Sequence, residues 1–287
     1  MCNLGRVSGG KICFDPFVGT GSILVTASVF NGICIGTDID VRVLRGKGGN
    51  NTINATFTQF GFPRPELIRS DNSMYGRHFR GGMYSSGEGI YDCIICDPPY
   101  GIRAGAKKSG TKREVIKPVA DEHRGDHIAQ TQNYEVCDVM SDLMDVAAMN
   151  LKVGGRLVYL IPTTTEFDEE MDLPTHKCLA LKYCCFQGLQ IELGRRMVCM
   201  EKICSYESSK ADEYRAAVWP RGLESARKVS NMREQLIEKN QLRKKEEREK
   251  ELKETGKLLS KRERKRKRRE ENREKLELSS SEQKQTK

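Results

Sequence analysis

The chain has 287 residues, of which 37% are apolar and 31% charged, and 49 Lys and Arg against 40 Asp and Glu give a net charge of +9. This balance is typical of a globular chain of one to two domains and excludes a membrane protein. Residues 1–10 lack the apolar core of a signal peptide, and no run of about eighteen apolar residues occurs. We therefore expect a cytoplasmic protein without a membrane span.

The first motif combines a short strand, a glycine loop and a helix. Lys11 to Phe17 reads as an apolar strand, and the segment Asp15 to Ser22 leads into the helical pattern of Ile23 to Phe30. Gly19 and Gly21 allow the backbone to approach a ligand, and the start of the helix favours a negative group such as a carboxylate. The third glycine of a dinucleotide fingerprint and the lysine of a P-loop are both missing, which disfavours a phosphate cofactor.

Acidic residues follow the next two predicted strands. The strand predicted at Ile33 to Ile39 carries Asp38 and Asp40 at its end, where an acidic side chain can accept hydrogen bonds from both hydroxyls of a ribose. The strand predicted at Glu66 to Arg69 is followed by Asp71-Asn72. Together with the glycine loop, these residues outline a pocket for an adenosine with a carboxylate nearby, as in S-adenosylmethionine. An acidic lining also suits the positive sulfonium. The alternative is that Asp40 caps the next helix and Asp71 the short segment after it.

A third motif, Asp97-Pro98-Pro99-Tyr100, follows the apolar strand Tyr91 to Cys96. The lone pair of an exocyclic amine is delocalised into its ring, so a carboxylate and a backbone carbonyl that accept its two N–H groups help to localise it. The prolines fix the backbone, and Tyr100 offers a ring on which a base can stack. The alternative interpretation is a plain turn at the end of a strand.

The remaining pattern predicts an α/β fold with a mostly parallel sheet. A helix is expected within Gln132 to Leu151, and strands at Arg156 to Ile161, Cys178 to Gln187 and Met197 to Ile203. In such sheets, ligands bind beyond the carboxyl ends of the strands, where all three motifs fall. Cys93 and Cys96, although they form a Cys-x-x-Cys, are expected to point to opposite faces of a buried strand, and no metal site is predicted.

Basic residues occur in two places outside the predicted strands. The long loop from Gly101 to Gln130 carries Arg103, Lys107 and Lys108, which are candidates for contact with RNA phosphates, the alternative being a solvated loop. Residues 221–287 hold 24 Lys and Arg against 14 Asp and Glu, so they carry all of the excess positive charge. We expect this tail to be a solvated helix or disordered, with residues 261–269 serving RNA binding or nuclear import, or merely solvated.

The motifs, in this order, resemble those of Rossmann-like class I amino-methyltransferases. The loop Tyr100 to Gly110 is similar to that of the catalytic subunit of the tRNA guanosine-N2 methyltransferases that act on position ten. The resemblance implies S-adenosylmethionine as donor, guanosine N2 in tRNA as acceptor, an antiparallel strand at the far end of the sheet, and a small zinc-binding activator subunit as partner. It implies cofactor binding by Asp15, Gly19, Gly21, Asp38, Asp71 and Asn72, and catalysis by Asp97, Pro98, Pro99 and Tyr100.

The chain also departs from that family. Members carry an amino-terminal THUMP-type RNA-binding region and a helix before the first strand, whereas only residues 1–10 precede Lys11 here. We therefore expect a truncated or variant form with a catalytic domain at 11–205, a linker at 206–220 and the basic tail at 221–287. Two alternatives are an inactive form that binds the activator subunit, and an amino-methyltransferase acting on another nucleic-acid or protein amine.

Overall fold

A computed structural model describes residues 1–46, 52–77, 89–99, 106–110, 130–164, 167–188, 193–220, 222, 241–242 and 245–246. The chain divides into two units, 1–233 and 234–287. Only residues 241–242 and 245–246 of the second unit are described. The predictions for Tyr100, for Arg103 and for the basic run 261–269 therefore lie outside the described residues. In the part of the chain that is described, no helix is both long enough and apolar enough to cross a membrane.

Nine strands are present in the described residues. They are β1 (Ile12–Asp15), β2 (Ile33–Asp38), β3 (Glu66–Arg69), β4 (Tyr91–Cys96), β5 (Lys107–Ser109), β6 (Thr131–Asn133), β7 (Leu151–Thr164), β8 (Leu179–Gly188) and β9 (Leu193–Lys202). Seven of them form one sheet in the order β3-β2-β1-β4-β7-β9-β8, and β5 and β6 form a separate antiparallel pair.

In the described part of the first unit, six α-helices accompany these strands. They are α1 (Ser22–Val29), α2 (Val41–Arg45), α3 (Ile53–Gln59), α4 (Val136–Asn150), α5 (Glu169–Asp172) and α6 (Ala211–Ala216), with 3-10 helices at Asn72–Arg77 and Ser208–Lys210. Helix α4 has apolar residues three or four positions apart, including Val139, Leu143 and Ala147, and all three are buried. Each large buried apolar side chain contributes about 1.5–3 kcal/mol, which holds this helix on the sheet.

The large sheet has the predicted α/β Rossmann-like topology. Strands β1 to β4 and β7 are mutually parallel, whereas β9 runs antiparallel to both β7 and β8. The chain winds outward from β1 to β3 and then returns to β4 on the other side of β1. This reversal leaves a crevice beyond the carboxyl ends of β1 and β4, where ligands bind in sheets of this kind. The mostly parallel sheet and its antiparallel strand are thus confirmed.

Two apolar clusters cover the two faces of the sheet. The first contains Leu143 of α4 and Cys96, and the second contains Leu24 of α1 and Cys93. Cys93 and Cys96 therefore do point to opposite faces, and both are fully buried. The second cluster also takes in Cys2, so the amino-terminal segment packs against the sheet.

Two local elements depart from the sequence prediction. Residues 206–220, assigned above to a linker, contain a 3-10 helix and α6, and Tyr206, Tyr214 and Val218 are buried in the first core cluster. The stretch 101–130 was expected to be a loop, but it contains β5, which pairs with β6 just after the end of the stretch. The basic segment Lys107–Ser109 is therefore a strand and not a loop.

Candidate active site

The glycine loop between β1 and α1 adopts a conformation that other residues would resist. Gly19 has φ +49° and Gly21 has φ +80°, which lie in the left-handed region where a side chain is strained. A Cβ at Gly21 would also lie only 2.9 Å from Cγ2 of Ile53 on α3. The loop therefore requires glycine at position 21 for two independent reasons, conformation and close packing.

The carboxylate of Asp38, at the end of β2, fastens this loop. Its Oδ2 accepts the amide of Gly19 at 3.1 Å, and its Oδ1 accepts the amide of Asp40 at 2.9 Å. Because a carboxylate has about four acceptor sites, these two bonds leave room for the hydroxyls of a ligand. Burial raises the pKa of Asp38, while the two amides counteract it. Asp40 caps α2 through the amide of Arg42.

The carbonyl oxygen of Pro16 connects three strand ends. It accepts the hydroxyl of Thr37 at 3.2 Å and the side-chain amide of Asn72. Asn72 is buried, and its Oδ1 has no hydrogen-bond partner within the described part of the chain. The predicted residues Asp15, Gly19, Asp38 and Asn72 are thus brought together, although the amide of Asn72 holds the loop and only its oxygen is left for a ligand.

Asp15 is a carboxylate buried at the centre of this arrangement. One oxygen accepts the amide of Phe17 at 3.0 Å, whereas Oδ2 is buried without a hydrogen-bond partner among the described residues. Burial, aided by the charges of Asp38 and Asp97, raises the pKa of Asp15 to about 8, and the Phe17 amide opposes this rise. An unpartnered buried oxygen is costly, so the site suits a ligand that brings a donor or a positive charge.

Asp71 serves the β5–β6 hairpin. Its Oδ1 accepts the amide and the hydroxyl of Ser73, and its Oδ2 accepts the amide of Ser109 in β5. Burial acts to raise the pKa of Asp71, but the bonds from Ser109 and Ser73 outweigh it and lower the pKa. Both carboxylate oxygens of Asp71 already accept hydrogen bonds from the protein. The contact of Asp71 with the adenine of the cofactor stays a prediction and would have to be made in addition to these bonds.

The two predicted RNA-contacting lysines lie in β5 and contact the protein itself. Lys107 donates to Oδ1 of Asn133 at 2.8 Å. Lys108 lies 3.6 Å from the carboxylate of Asp138 and 5.2 Å from the centre of the Tyr134 ring. Their proposed contact with RNA stays a prediction and would compete with these interactions.

Asp97 leaves the end of β4 toward solvent. Its side chain is exposed, while Pro98 is buried and Pro99 half-buried. Because β4 pairs in parallel with β1, Asp97 lies at the same edge of the sheet as Asp15, and its charge raises the pKa of both Asp15 and Cys96. An exposed carboxylate next to a buried one can accept hydrogen bonds from an incoming amine while the inner one contacts a second ligand.

A buried polar network behind the site was not predicted from sequence. The guanidinium of Arg215 donates to Asp142 and, at 3.1 Å, to Asp145, both on α4. Tyr134 donates to Asp142, and Tyr75 donates to Asp145 at 2.8 Å. The network joins α6, the hairpin end and the 3-10 helix after β3. The sequence does contain one signal for this network, because Asp142 and Asp145 lie three residues apart within the apolar pattern of α4.

The site as a whole fits an adenosine-linked cationic donor better than a metal ion. Among the described residues, no group of three or more His, Cys, Asp or Glu is arranged to hold a metal. The site contains the glycine loop, whose backbone a ligand can approach closely, the half-buried carboxylate of Asp38 and the buried Oδ2 of Asp15, which has no hydrogen-bond partner among the described residues. These groups can bind hydroxyls and a positive charge on one side and an amine on the other.

The chain is similar in sequence to several characterised proteins. It is 44% identical over 211 residues to tRNA (guanine(10)-N(2))-methyltransferase TRMT11 of Dictyostelium discoideum, covering 72% of this chain and 40% of that protein. It is 35% identical over 230 residues to the protein of that name from Homo sapiens, covering 75% and 47%. The Xenopus laevis protein is 36% identical over 217 residues, covering 72% and 44%. The matched region is less than half the length of these relatives.

Other comparisons are more distant. An rRNA methylase from Streptococcus thermophilus is 15% identical, with a TM-score of 0.42 over 70% of this chain and 93% of that one. A methyltransferase from Pyrococcus furiosus is 14% identical, with a TM-score of 0.39 over 69% and 78%. Likenesses this distant say nothing about function, and no protein-family model matches the chain. On sequence similarity, the matched part of the chain, 72–75% of its length, is homologous to part of the tRNA (guanine(10)-N(2))-methyltransferase TRMT11 proteins.

Proposed function

We propose that the chain transfers a methyl group from S-adenosylmethionine to N2 of a guanosine in tRNA. The observation that carries this proposal is that two different carboxylates lie at one edge of the sheet. Asp15 is buried and has an oxygen without a hydrogen-bond partner among the described residues, whereas Asp97 is exposed. The relatives are named for a methyltransferase activity on guanine N2 in tRNA, which supports guanine N2 as the acceptor.

The cofactor side of the site is formed by residues of β1 and β2. Asp38 would accept the ribose hydroxyls, because its carboxylate keeps acceptor sites beyond the Gly19 and Asp40 amides. Gly19 and Gly21 let the loop backbone approach the methionine part, and Asp15 would contact its amino group. When bound, S-adenosylmethionine supplies a methyl group on a positively charged sulfur.

The acceptor side of the site is formed by the residues after β4. Asp97 and the carbonyl of Pro98 would accept the two N–H groups of the guanine N2 amine, which orients its lone pair. Positioning of this kind lowers the barrier without a strong base. Tyr100, outside the described residues, is proposed to stack on the guanine. A paired guanine must first be flipped out of its stack.

The test measures the product and the acceptor atom. The full chain is incubated with S-adenosylmethionine and unmodified tRNA, which is then digested to nucleosides and analysed by mass spectrometry. We expect N2-methylguanosine with the wild type and none with Asp97→Asn, while titration calorimetry shows unchanged cofactor affinity. Asp92→Asn, at the opposite end of β4, is the matched control and should keep transfer. Methyladenosine or methylcytidine instead would refute the guanine assignment.

Partners and location are part of the same proposal. We propose that the chain acts with a small zinc-binding activator subunit, as its resemblance to the position-ten methyltransferases implies. Co-expression with such a subunit should raise the yield of soluble chain and the rate of transfer, and equal rates with and without it would reject the partnership. We further propose a cytoplasmic location, with nuclear import by residues 261–269 as the outcome to exclude by imaging a fluorescent fusion.

A further inference from the structure

The antiparallel strand brings residues from late in the chain to the edge of the candidate site. Because β9 runs against both β7 and β8, β8 runs parallel to β7 and β4. The end of β8 and the start of β9 therefore lie at the same edge of the sheet as Asp97. Neighbouring strands are about 4.8 Å apart, so β8 lies about 14 Å from β4, three strands away.

An exposed aromatic ring marks this part of the edge. Phe186, two residues before the end of β8, is 54% exposed. Its ring lies over Gly194 of β9, where an added Cβ would overlap the ring. The guanidinium of Arg196 lies 5.4 Å from the centre of the Phe186 ring and 5.3 Å from that of Phe167, and it is paired with Glu169. Both contacts of the Phe186 ring come from β9, so the ring is held against that strand.

A positive charge flanks the ring across the edge. Arg195 points to the opposite face of the sheet from Phe186, since it pairs with Gln187 in the β8–β9 register. Its Nε donates to the neutral Oε1 of Gln187 at 2.6 Å. Within the described ranges, no carboxylate lies within ion-pair distance of Arg195. Unlike Arg196, it therefore has no ion pair among the described residues.

We propose that Phe186 is a stacking platform for a nucleotide near the target base, with Arg195 contacting a phosphate of the same strand as it crosses the edge. Proteins hold single-stranded nucleic acid by stacking its bases on exposed aromatic rings and by binding its phosphates with positive side chains, and here the two lie on opposite faces of the same sheet edge. The inference rests on the proposed function in that it takes RNA to be the substrate at this edge. Gly194 contributes by leaving room for the ring.

The test is a titration of the full chain with a fluorescein-labelled single-stranded oligoadenylate, followed by fluorescence anisotropy at several salt concentrations. We expect Phe186→Ala to weaken binding about tenfold at every salt concentration, with Phe186→Trp restoring it. We expect Arg195→Gln to reduce the slope of log affinity against log salt by about 0.7, as the loss of one phosphate contact would.

The matched control is Tyr183→Ala. Tyr183 is on the same strand, is 48% exposed and has the guanidinium of Arg156 5.7 Å from its ring, but it lies three residues further than Phe186 from the edge at which Asp97 stands. Its loss should change affinity by less than about twofold. Equal small effects of Phe186→Ala and Tyr183→Ala, or no binding by the wild type, would overturn the inference. Because binding is read without methyl transfer, an inactive chain with an intact Phe186 effect would refute only the proposed function.

Discussion

The guanidinium of Arg215, in α6, lies 3.1 Å from the carboxylate of Asp145, in the middle of α4. The same guanidinium also pairs with Asp142, and the two carboxylates are almost completely buried. A segment close to the end of the first unit therefore supplies the charge that allows two acids to sit inside the core cluster.

Removing this charge should destabilise the first unit. Arg215→Ala leaves two buried carboxylates with less compensation, and breaking a buried pair typically costs about 3–5 kcal/mol. Because Arg215 is itself 37% exposed, we expect a smaller loss of about 2 kcal/mol in the free energy of unfolding, measured with urea. Lys210→Ala, which removes an exposed pair with Glu207, should change stability by less than about 0.5 kcal/mol.

Gly21→Ala should separate backbone strain from steric overlap. An alanine at φ +80° costs about 1–2 kcal/mol, and its Cβ would lie 2.9 Å from Ile53. Gly10→Ala is the matched control, because Gly10 has φ +79° with nothing within 4 Å of an added Cβ. The difference in unfolding free energy between the two variants measures the overlap. Equal losses would show that Ile53 simply moves away.

Asp15→Asn should change how stability depends on pH. The pKa of Asp15 is about 8 in the folded chain, against an ordinary value of 3.8. The folded state therefore holds a proton that the unfolded state has lost, and stability falls as the pH rises between these values. The asparagine variant should lose this slope in urea titrations across that range. Asp71→Asn, at a group whose pKa is lowered, should leave the slope in place.

Asp38→Ala should abolish measurable cofactor binding, whereas Asp38→Asn should weaken it less. Alanine removes the ribose contact and also frees the Gly19 amide, while asparagine keeps one acceptor for the loop. Hydrogen bonds to a charged group contribute about 1.5–3 kcal/mol, which corresponds to a loss of tenfold or more. Titration calorimetry with S-adenosylmethionine measures this loss. Asp40→Ala, which removes the cap of α2 and the ion pair with Arg42, is the control, and an effect as large as that of Asp38→Ala would contradict the assignment.

Much of the sheet was predictable because its inner strands are short apolar runs that end at turn residues. The inner strand predicted at Tyr91–Cys96 has those bounds in the structure, and so does the edge strand predicted at Glu66–Arg69. β5 and β6 were missed because Lys107–Ser109 and Thr131–Asn133 are polar and pair across more than twenty intervening residues. No periodicity in either segment indicates such a pairing.

The candidate site was predictable only in part, for a related reason. Asp15, Gly19, Asp38 and Asp97 follow strands, so the edge on which they meet is fixed once the sheet is recognised as parallel. The partners of Asn72 and Asp71 depend on distant segments, namely Pro16 and Ser109, and a single sequence carries no signal for them. Likewise, Cys185 belongs to an apolar run yet is exposed, because β8 is an edge strand.

The Pro16 carbonyl oxygen accepts two hydrogen bonds, and this affects how the glycine loop responds when a ligand binds. Thr37 and Asn72 reach this oxygen from the ends of β2 and β3, and the backbone amide of Val18 donates a hydrogen bond to the carbonyl oxygen of Thr37 at 2.9 Å. The loop is therefore braced before anything binds, so association does not have to order it. We therefore expect the amides of Val18 and Gly19 to exchange their hydrogens slowly in the ligand-free protein. Fast exchange of both amides would indicate a loop that becomes ordered only when the ligand binds.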